Sequence, residues 1–168
     1  MRLFFALWPD APAAAALADA AAELAALAGG KAVPAAKIHL TLAFLGEVGD
    51  DRLEAVRSAA SRLRCKAFDV ALDQAGSFRG ARVAWVGSRK PARGLIELQA
   101  ALAGELAACG FAPDERPYTP HATVARKISR QVERRAIPPI EWRARELSLV
   151  RSELRKGSYA AVATWDLL

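Results

Sequence analysis

Cysteine is scarce in this chain. The two present, Cys65 and Cys109, are too few for a disulfide framework and do not stand at metal-ligand spacing. Each falls near the end of an expected helix, which predicts buried thiols in a reducing compartment. Long apolar runs are missing too: the alanine-rich stretch from Ala11 to Ala28 is interrupted by Asp19 and Glu23, and nothing approaches the roughly 18 consecutive apolar residues of a membrane span. The opening Met1-Arg-Leu-Phe-Phe-Ala-Leu-Trp-Pro9 is apolar but too short for a signal core with its cleavage site. These absences set the expectation of a cytoplasmic chain with no membrane association. Aromatic residues are 7% of the total and never interleave with a basic run, which argues against a stacking platform for single strands. Gly76-Ser-Phe-Arg-Gly80 lacks the Lys-Ser/Thr that would make it a phosphate loop. Ser77, Ser88 and Ser152 have no nucleophile-elbow context. No group of carboxylates or histidines stands together to hold a metal, so neither metal nor cofactor is expected.

What the chain does contain describes a folded globular protein. Hydrophobic residues are 53% and charged residues 25% of its 168 positions, enough for one compact domain or two small lobes sharing a core. Much of the apolar share is alanine, which suits closely packed helices. The net charge of +6, from 24 basic and 18 acidic residues, favours a polyanionic partner such as nucleic acid or phosphate. An arginine-rich composition has the same charge without any partner, so charge alone does not decide.

Hydrophobic periodicity and turn residues predict strands at 2–8 and 38–45, with a helix over 11–28 between them and a loop at 31–36 around Pro34. Asp10 offers an N-cap and Gly29-Gly30 a stop. A second helix is expected from Asp50 or Asp51 to about Arg64. Strands at 68–75 and 82–86 should form a hairpin about 76–80. A third helix follows from Pro91, with Leu95, Leu98, Leu102 and Leu106 on one face and Gly110 as its cap. The remainder reads as a loop at 113–117, a strand at 118–126, a charged short helix or loop at 127–136, and a closing hairpin of 142–151 and 159–165. This order predicts an α+β fold with mainly antiparallel sheet.

Against that background the two histidines stand out. They are His39 and His121, 82 residues apart, and each is followed two positions later by one of only four threonines, Thr41 and Thr123. Composition alone would give that coincidence on the order of once in two thousand sequences. The echo suggests two similar lobes related by a rough twofold axis, each supplying one His-x-Thr strand. Residues two apart in a strand share a face, so each imidazole projects beside a hydroxyl while Leu40, Leu42 and Phe44, or Ala122 and Val124, face the core. Two imidazoles titrating near neutrality can serve as base and acid, and two hydroxyls suit the free oxygens of a phosphate. The set fits in-line phosphodiester chemistry without a metal. The residues alone leave the two histidines interchangeable.

Two His-x-Thr motifs about eighty residues apart resemble the two-histidine (2H) phosphoesterases. Arg2-Leu-Phe-Phe-Ala6, His39-Leu-Thr-Leu-Ala-Phe-Leu-Gly46, Tyr118-Thr-Pro-His-Ala-Thr-Val-Ala-Arg126 and Leu149-Val-Arg-Ser-Glu-Leu154 are similar to the bacterial RNA 2′,3′-cyclic phosphodiesterase branch, once described as 2′–5′ RNA ligase. The likeness runs from the first strand to the last hairpin. It implies one bilobal domain over 1–168, with two mainly antiparallel sheets around a central cleft and helices outside. It further implies metal-independent opening of a terminal 2′,3′-cyclic phosphate to a 2′-phosphate, with 2′–5′ ligation as the reverse reaction. His39 would be the proton donor and His121 the proton acceptor, with Thr41 and Thr123 holding phosphate oxygens. Arg126, five residues after His121, would reach substrate phosphate, although strict alternation turns it away unless a bulge re-aims it. Phe44 would stack on a base, against an alternation that aims it inward, and Arg151 would line the cleft. The approach Val33-Pro-Ala-Ala-Lys-Ile38 matches only in its proline, which bears on substrate choice. The implied partner is RNA with a cyclic-phosphate end or a nucleotide, bound by a monomer. A phosphodiesterase of small cyclic nucleotides or of 2′–5′ oligoadenylate, and a non-catalytic RNA-binding module, are the competing readings.

Overall fold

A computed structural model describes residues 1–112 and 114–168; the expected loop at 113–117 therefore begins at Pro113, outside the described residues. Among those described, nine strands and three α-helices follow in the order β1 (Arg2–Leu7), α1 (Ala11–Ala28), β2 (Lys31–Ala32), β3 (Leu40–Glu47), α2 (Leu53–Ser61), β4 (Phe68–Phe78), β5 (Val83–Gly87), α3 (Arg93–Ala108), β6 (His121–Arg126), β7 (Arg135–Ala144), β8 (Glu146–Glu153) and β9 (Ser158–Asp166).

Helix α1 begins where the Asp10 carboxylate accepts the Ala13 backbone N–H at 3.0 Å, and ends at Gly29, which takes the left-handed conformation at φ +72°. Leu17, Ala21, Leu24 and Ala28 recur every three or four residues and are buried, packed across β5, β6 and β7. By length and composition this helix could cross a membrane, contrary to the sequence expectation. In this fold its apolar stripe is covered by the sheet. Helix α3 buries Leu95, Leu98, Leu102 and Leu106 against β3 and β4. The shorter α2 buries Val56, Ala59 and Ala60 against α3 and β9.

The strand order is β7-β4-β5-β6-β3-β1-β8-β9, with β2 added beside β6, and all the pairs are antiparallel. The two expected sheets are thus hydrogen-bonded into one. They meet at a single residue pair, Leu40 with Ala122, both fully buried. Pairing there satisfies backbone groups that two separate inner edges would leave open, while the remainder of β3 and β6 diverges. Each half places its His-x-Thr motif at the start of the innermost strand, with His39 just ahead of β3 and His121 the first residue of β6, and one apolar core runs beneath both.

Several segments differ from the sequence reading. Residues 31–36 are not wholly loop, since β2 pairs Lys31 with Arg126 and Ala32 with Ala125. Strands β3 and β6 start at Leu40 and His121, later than expected. The stretch 127–134 takes the loop alternative and is held down by buried Ile128 and Val132. Strand β7 starts at Arg135, ahead of the strand expected from 142, and runs through Pro138-Pro139. It lies on the sheet edge, and its register jumps between Leu72 with Ile140 and Gln74 with Ala136, so the prolines sit in a bulge where no ladder donor is needed. The expected single strand over 142–151 is two strands, because the core parity changes from Trp142 and Ala144 to Leu147 and Leu149 across Arg145. Cys65 and Cys109 are free and half-buried, not fully buried as expected; partial burial pushes the Cys65 thiol up.

Candidate active site

Two β-bulges bring the motif residues to one face. Against β1, strand β3 pairs Ala6 with Thr41 and Phe5 with Ala43, leaving Leu42 as an extra residue. The parity then flips, and Phe44 comes opposite Phe4 on the same side as Thr41. Against β5, strand β6 pairs Trp85 with Thr123 and Ala84 with Ala125, so Val124 is the extra residue. Arg126 then lies opposite Val83, on the face of Thr123. His39, Thr41 and Phe44 in one half therefore match His121, Thr123 and Arg126 in the other. The expectation that alternation turns Phe44 toward the core is corrected: it is 57% exposed. The bulge that Arg126 required is present.

These six residues line one cleft of about 380 Å³, together with Arg2, Phe4, Lys37 and Tyr159 among others. Three cations, Arg2, Lys37 and Arg126, face it, and among the described residues no aspartate or glutamate does. Such a surface is preorganised for an anion. Arg151 does not line this cleft. Alternation along β8 places it with Leu147 and Leu149 on the core side, where its guanidinium pairs with Glu153 at 2.5 Å. Its strand neighbours Ser152 and Leu154 reach the cleft instead.

The backbone fixes the imidazoles alike. Nδ1 of His39 donates to the Lys37 carbonyl at 2.8 Å, and Nδ1 of His121 donates to the Thr119 carbonyl at 2.7 Å. A carbonyl only accepts, so Nδ1 carries the proton in both rings and Nε2 is left for chemistry. In His39 that Nε2 lies 3.0 Å from the Thr41 hydroxyl. Burial holds the His39 pKa below its ordinary value; the Lys37 carbonyl opposes this, and the charges of Arg126 and His121 add to the lowering.

The surroundings hold residues that the motif reading missed. Phe4, Trp8 and Tyr159 pack around His39, and Phe78 meets His121 edge-on at 5.0 Å. The Arg2 guanidinium lies 5.0 Å above the Phe44 ring. Tyr118 donates to the Thr41 carbonyl at 3.0 Å, and burial pushes its phenol far up. A signal for some of these was present: if Leu3, Phe5 and Leu7 form the core face of β1, then Arg2, Phe4, Ala6 and Trp8 form the other. No sequence signal tied Tyr159 or Phe78 to a histidine. Among the described residues, no group of three or more His, Cys, Asp or Glu side chains is placed to hold a metal ion.

Comparison with known proteins covers nearly the whole chain. The RNA 2′,3′-cyclic phosphodiesterase of Escherichia coli (strain K12) is 38% identical over 144 residues, which cover 82% of this chain and 80% of that protein. Crystal structures of E. coli LigT superpose closely. The apo form has a TM-score of 0.87 at 35% identity, covering 99% of this chain and 96% of that one. The form complexed with 3′-AMP has a TM-score of 0.82 at 36% identity, covering 99% and 97%. The family model for the 2′-5′ RNA ligase superfamily matches residues 8–156, a span that holds both His-x-Thr strands, and the chain belongs to that superfamily.

Proposed function

We propose that this protein hydrolyses RNA 2′,3′-cyclic phosphodiester ends to 2′-phosphomonoesters, without a metal, by acid–base catalysis between its two histidines. The observation that carries this reading is the pair of imidazoles, each locked through Nδ1 to the carbonyl two residues before it, facing one cationic cleft. His121 Nε2 takes a proton from water as the water oxygen bonds to phosphorus. The bond from phosphorus to the 3′-oxygen breaks, and His39 Nε2–H protonates that oxygen. The product carries a 2′-phosphate and a free 3′-hydroxyl, and the same groups run in reverse would support 2′–5′ ligation. Thr41 and Thr123 donate to the non-bridging oxygens, and Arg126 balances their charge. Phe44, in a near-parallel stack with Phe4 at 6.3 Å and beside the Arg2 guanidinium, takes the terminal base. Arg151, paired with Glu153, has no part in this scheme. The assignment of acid to His39 and base to His121 rests on the family resemblance. Both histidines come from one chain, which supports a monomer as one bilobal unit. The free cysteines support a cytoplasmic setting.

The test is a chelator-controlled assay on an oligonucleotide ending in a 2′,3′-cyclic phosphate. With excess EDTA present, the wild type yields the 2′-phosphate at an undiminished rate. His39→Ala and His121→Ala each lose about 10²–10⁴ in rate, the usual contribution of a general acid or base. A 3′-phosphate product, activity abolished by EDTA, or wild-type turnover in either variant would refute the scheme. Binding without turnover would instead identify an RNA-binding module.

A further inference from the structure

The two histidines are held alike by the backbone and unlike by their neighbours. Around His39 three rings close, two from β1 and its end and one from β9. Phe4 of β1 stacks at 4.9 Å and 27°, Trp8 just beyond β1 lies at 5.1 Å, and Tyr159 of β9 meets it edge-on at 5.6 Å and 86°. These rings also pack on one another, with Phe4 and Tyr159 5.2 Å apart and Trp8 and Tyr159 6.3 Å apart. The Lys37 ammonium lies 5.7 Å above Tyr159, on the residue whose carbonyl anchors His39 Nδ1. Among the described residues the aromatic neighbour of His121 is Phe78, and the Nδ1 bond of His121 lies at the exposed surface where that of His39 is part-buried.

We propose that Tyr159, supported by Trp8, is the positioning residue of His39: its ring holds the imidazole against Phe4 and the Lys37 carbonyl and keeps water from its edges. This rests on the acid–base reading of the histidines. Tyr159 acts through its ring face and edge, so Tyr159→Phe should preserve the effect and Tyr159→Leu should not. The groups facing His39 are Arg126 and His121 from β6, Arg2 from β1, Lys37 and Thr41 from its own segment, and the Tyr159 phenol from β9. Among the described cleft-lining residues no carboxylate is present to draw the imidazolium pKa upward. Water entering in place of the ring therefore raises it toward the ordinary value of about 6.5.

The imidazole Cε1–H signals of the unliganded protein, followed by NMR against pH and assigned with His39→Gln, give both midpoints without requiring activity. In Tyr159→Leu the His39 midpoint rises, and in Tyr159→Phe it matches the wild type. The alkaline limb of kcat/KM on a cyclic-phosphate dinucleotide rises with it. An unmoved His39 midpoint in folded Tyr159→Leu, or equal movement of both histidines, overturns the proposal. If Tyr159→Leu does not fold, Trp8→Leu opens the same enclosure from its other side and is held to the same outcomes. A shifted midpoint with an unshifted rate limb would leave the positioning role intact and refute the acid role of His39.

Discussion

At the scale of residues, the question is what distinguishes two histidines with the same anchor. Burial lowers the pKa of His39, and the sign of the consequence depends on its role. As the acid, His39 must be protonated, so kcat/KM falls as pH rises through its pKa, with that limb below the ordinary imidazole value of about 6.5. As the base it must be neutral, so the rate would instead be lost as pH falls through the same value. The profile of kcat/KM against pH in the His121→Ala variant isolates the surviving group. A descending alkaline limb confirms His39 as the acid, and an acid limb in its place reverses the assignment. Bound cyclic phosphate brings a negative charge beside the imidazolium, so in the wild type the alkaline limb of kcat lies at higher pH than that of kcat/KM.

At the scale of elements, the two bulges decide which side chains can act. Alternation correctly put His39 beside Thr41 and His121 beside Thr123, because no bulge falls between them. It failed at Phe44, and the cleft position that the family resemblance implied for Arg151 failed for a different reason. A bulge at Leu42 turned Phe44 outward, and nothing in the residues marks Leu42 as unpaired. Arg151 lies on the core face of β8, and the phase of that strand was hidden by the parity change across Arg145. Helix α1 was legible at its Asp10 and Gly29 caps and α3 at its leucine stripe, whereas α2, with no side-chain cap, ends at Ser61, short of the expected Arg64, and β7 begins at Arg135, ahead of the strand expected from 142. The same elements set a buried indole beside Thr123. Trp85, its partner on β5, closes over Gly76, where an added Cβ would lie 2.5 Å from the indole Cζ2 and 2.9 Å from Cη2. Trp85 is 2% exposed and has little room to yield, so Gly76→Ala should cost about 1–3 kcal/mol of stability by overpacking. In a domain of this size that lowers the melting temperature by roughly 2–12 °C. Gly80→Ala, at the hairpin tip with nothing within 4 Å, should leave it within about 0.5 kcal/mol. Thermal unfolding by circular dichroism compares the two, and equal melting temperatures would show that Trp85 does not clamp this backbone.

At the scale of the molecule, joining the halves through one residue pair leaves a cleft between them, and its charge is what a polyanion meets first. Arg2, Lys37 and Arg126 face it, and no carboxylate among the described lining residues offsets them. The β8–β9 turn beyond Leu154 adds Arg155 and Lys156, both exposed; of these Lys156 is paired with Glu153. A site for a nucleotide alone would use only the cleft cations, whereas one for an RNA end would extend to the turn. Salt separates these cases. Each phosphate neutralised on a single strand contributes about −0.7 to the slope of log affinity against log salt. Arg126→Ala should therefore make the slope of log(1/KM) shallower by about 0.7 for any cyclic-phosphate substrate, under conditions where KM reports binding. Lengthening the RNA from a dinucleotide to an octanucleotide should steepen the wild-type slope, and Arg155→Ala should remove part of that increment while leaving the dinucleotide slope unchanged. Equal slopes at both lengths would confine recognition to the terminal nucleotide and favour a small cyclic nucleotide or 2′–5′ oligoadenylate as the substrate class.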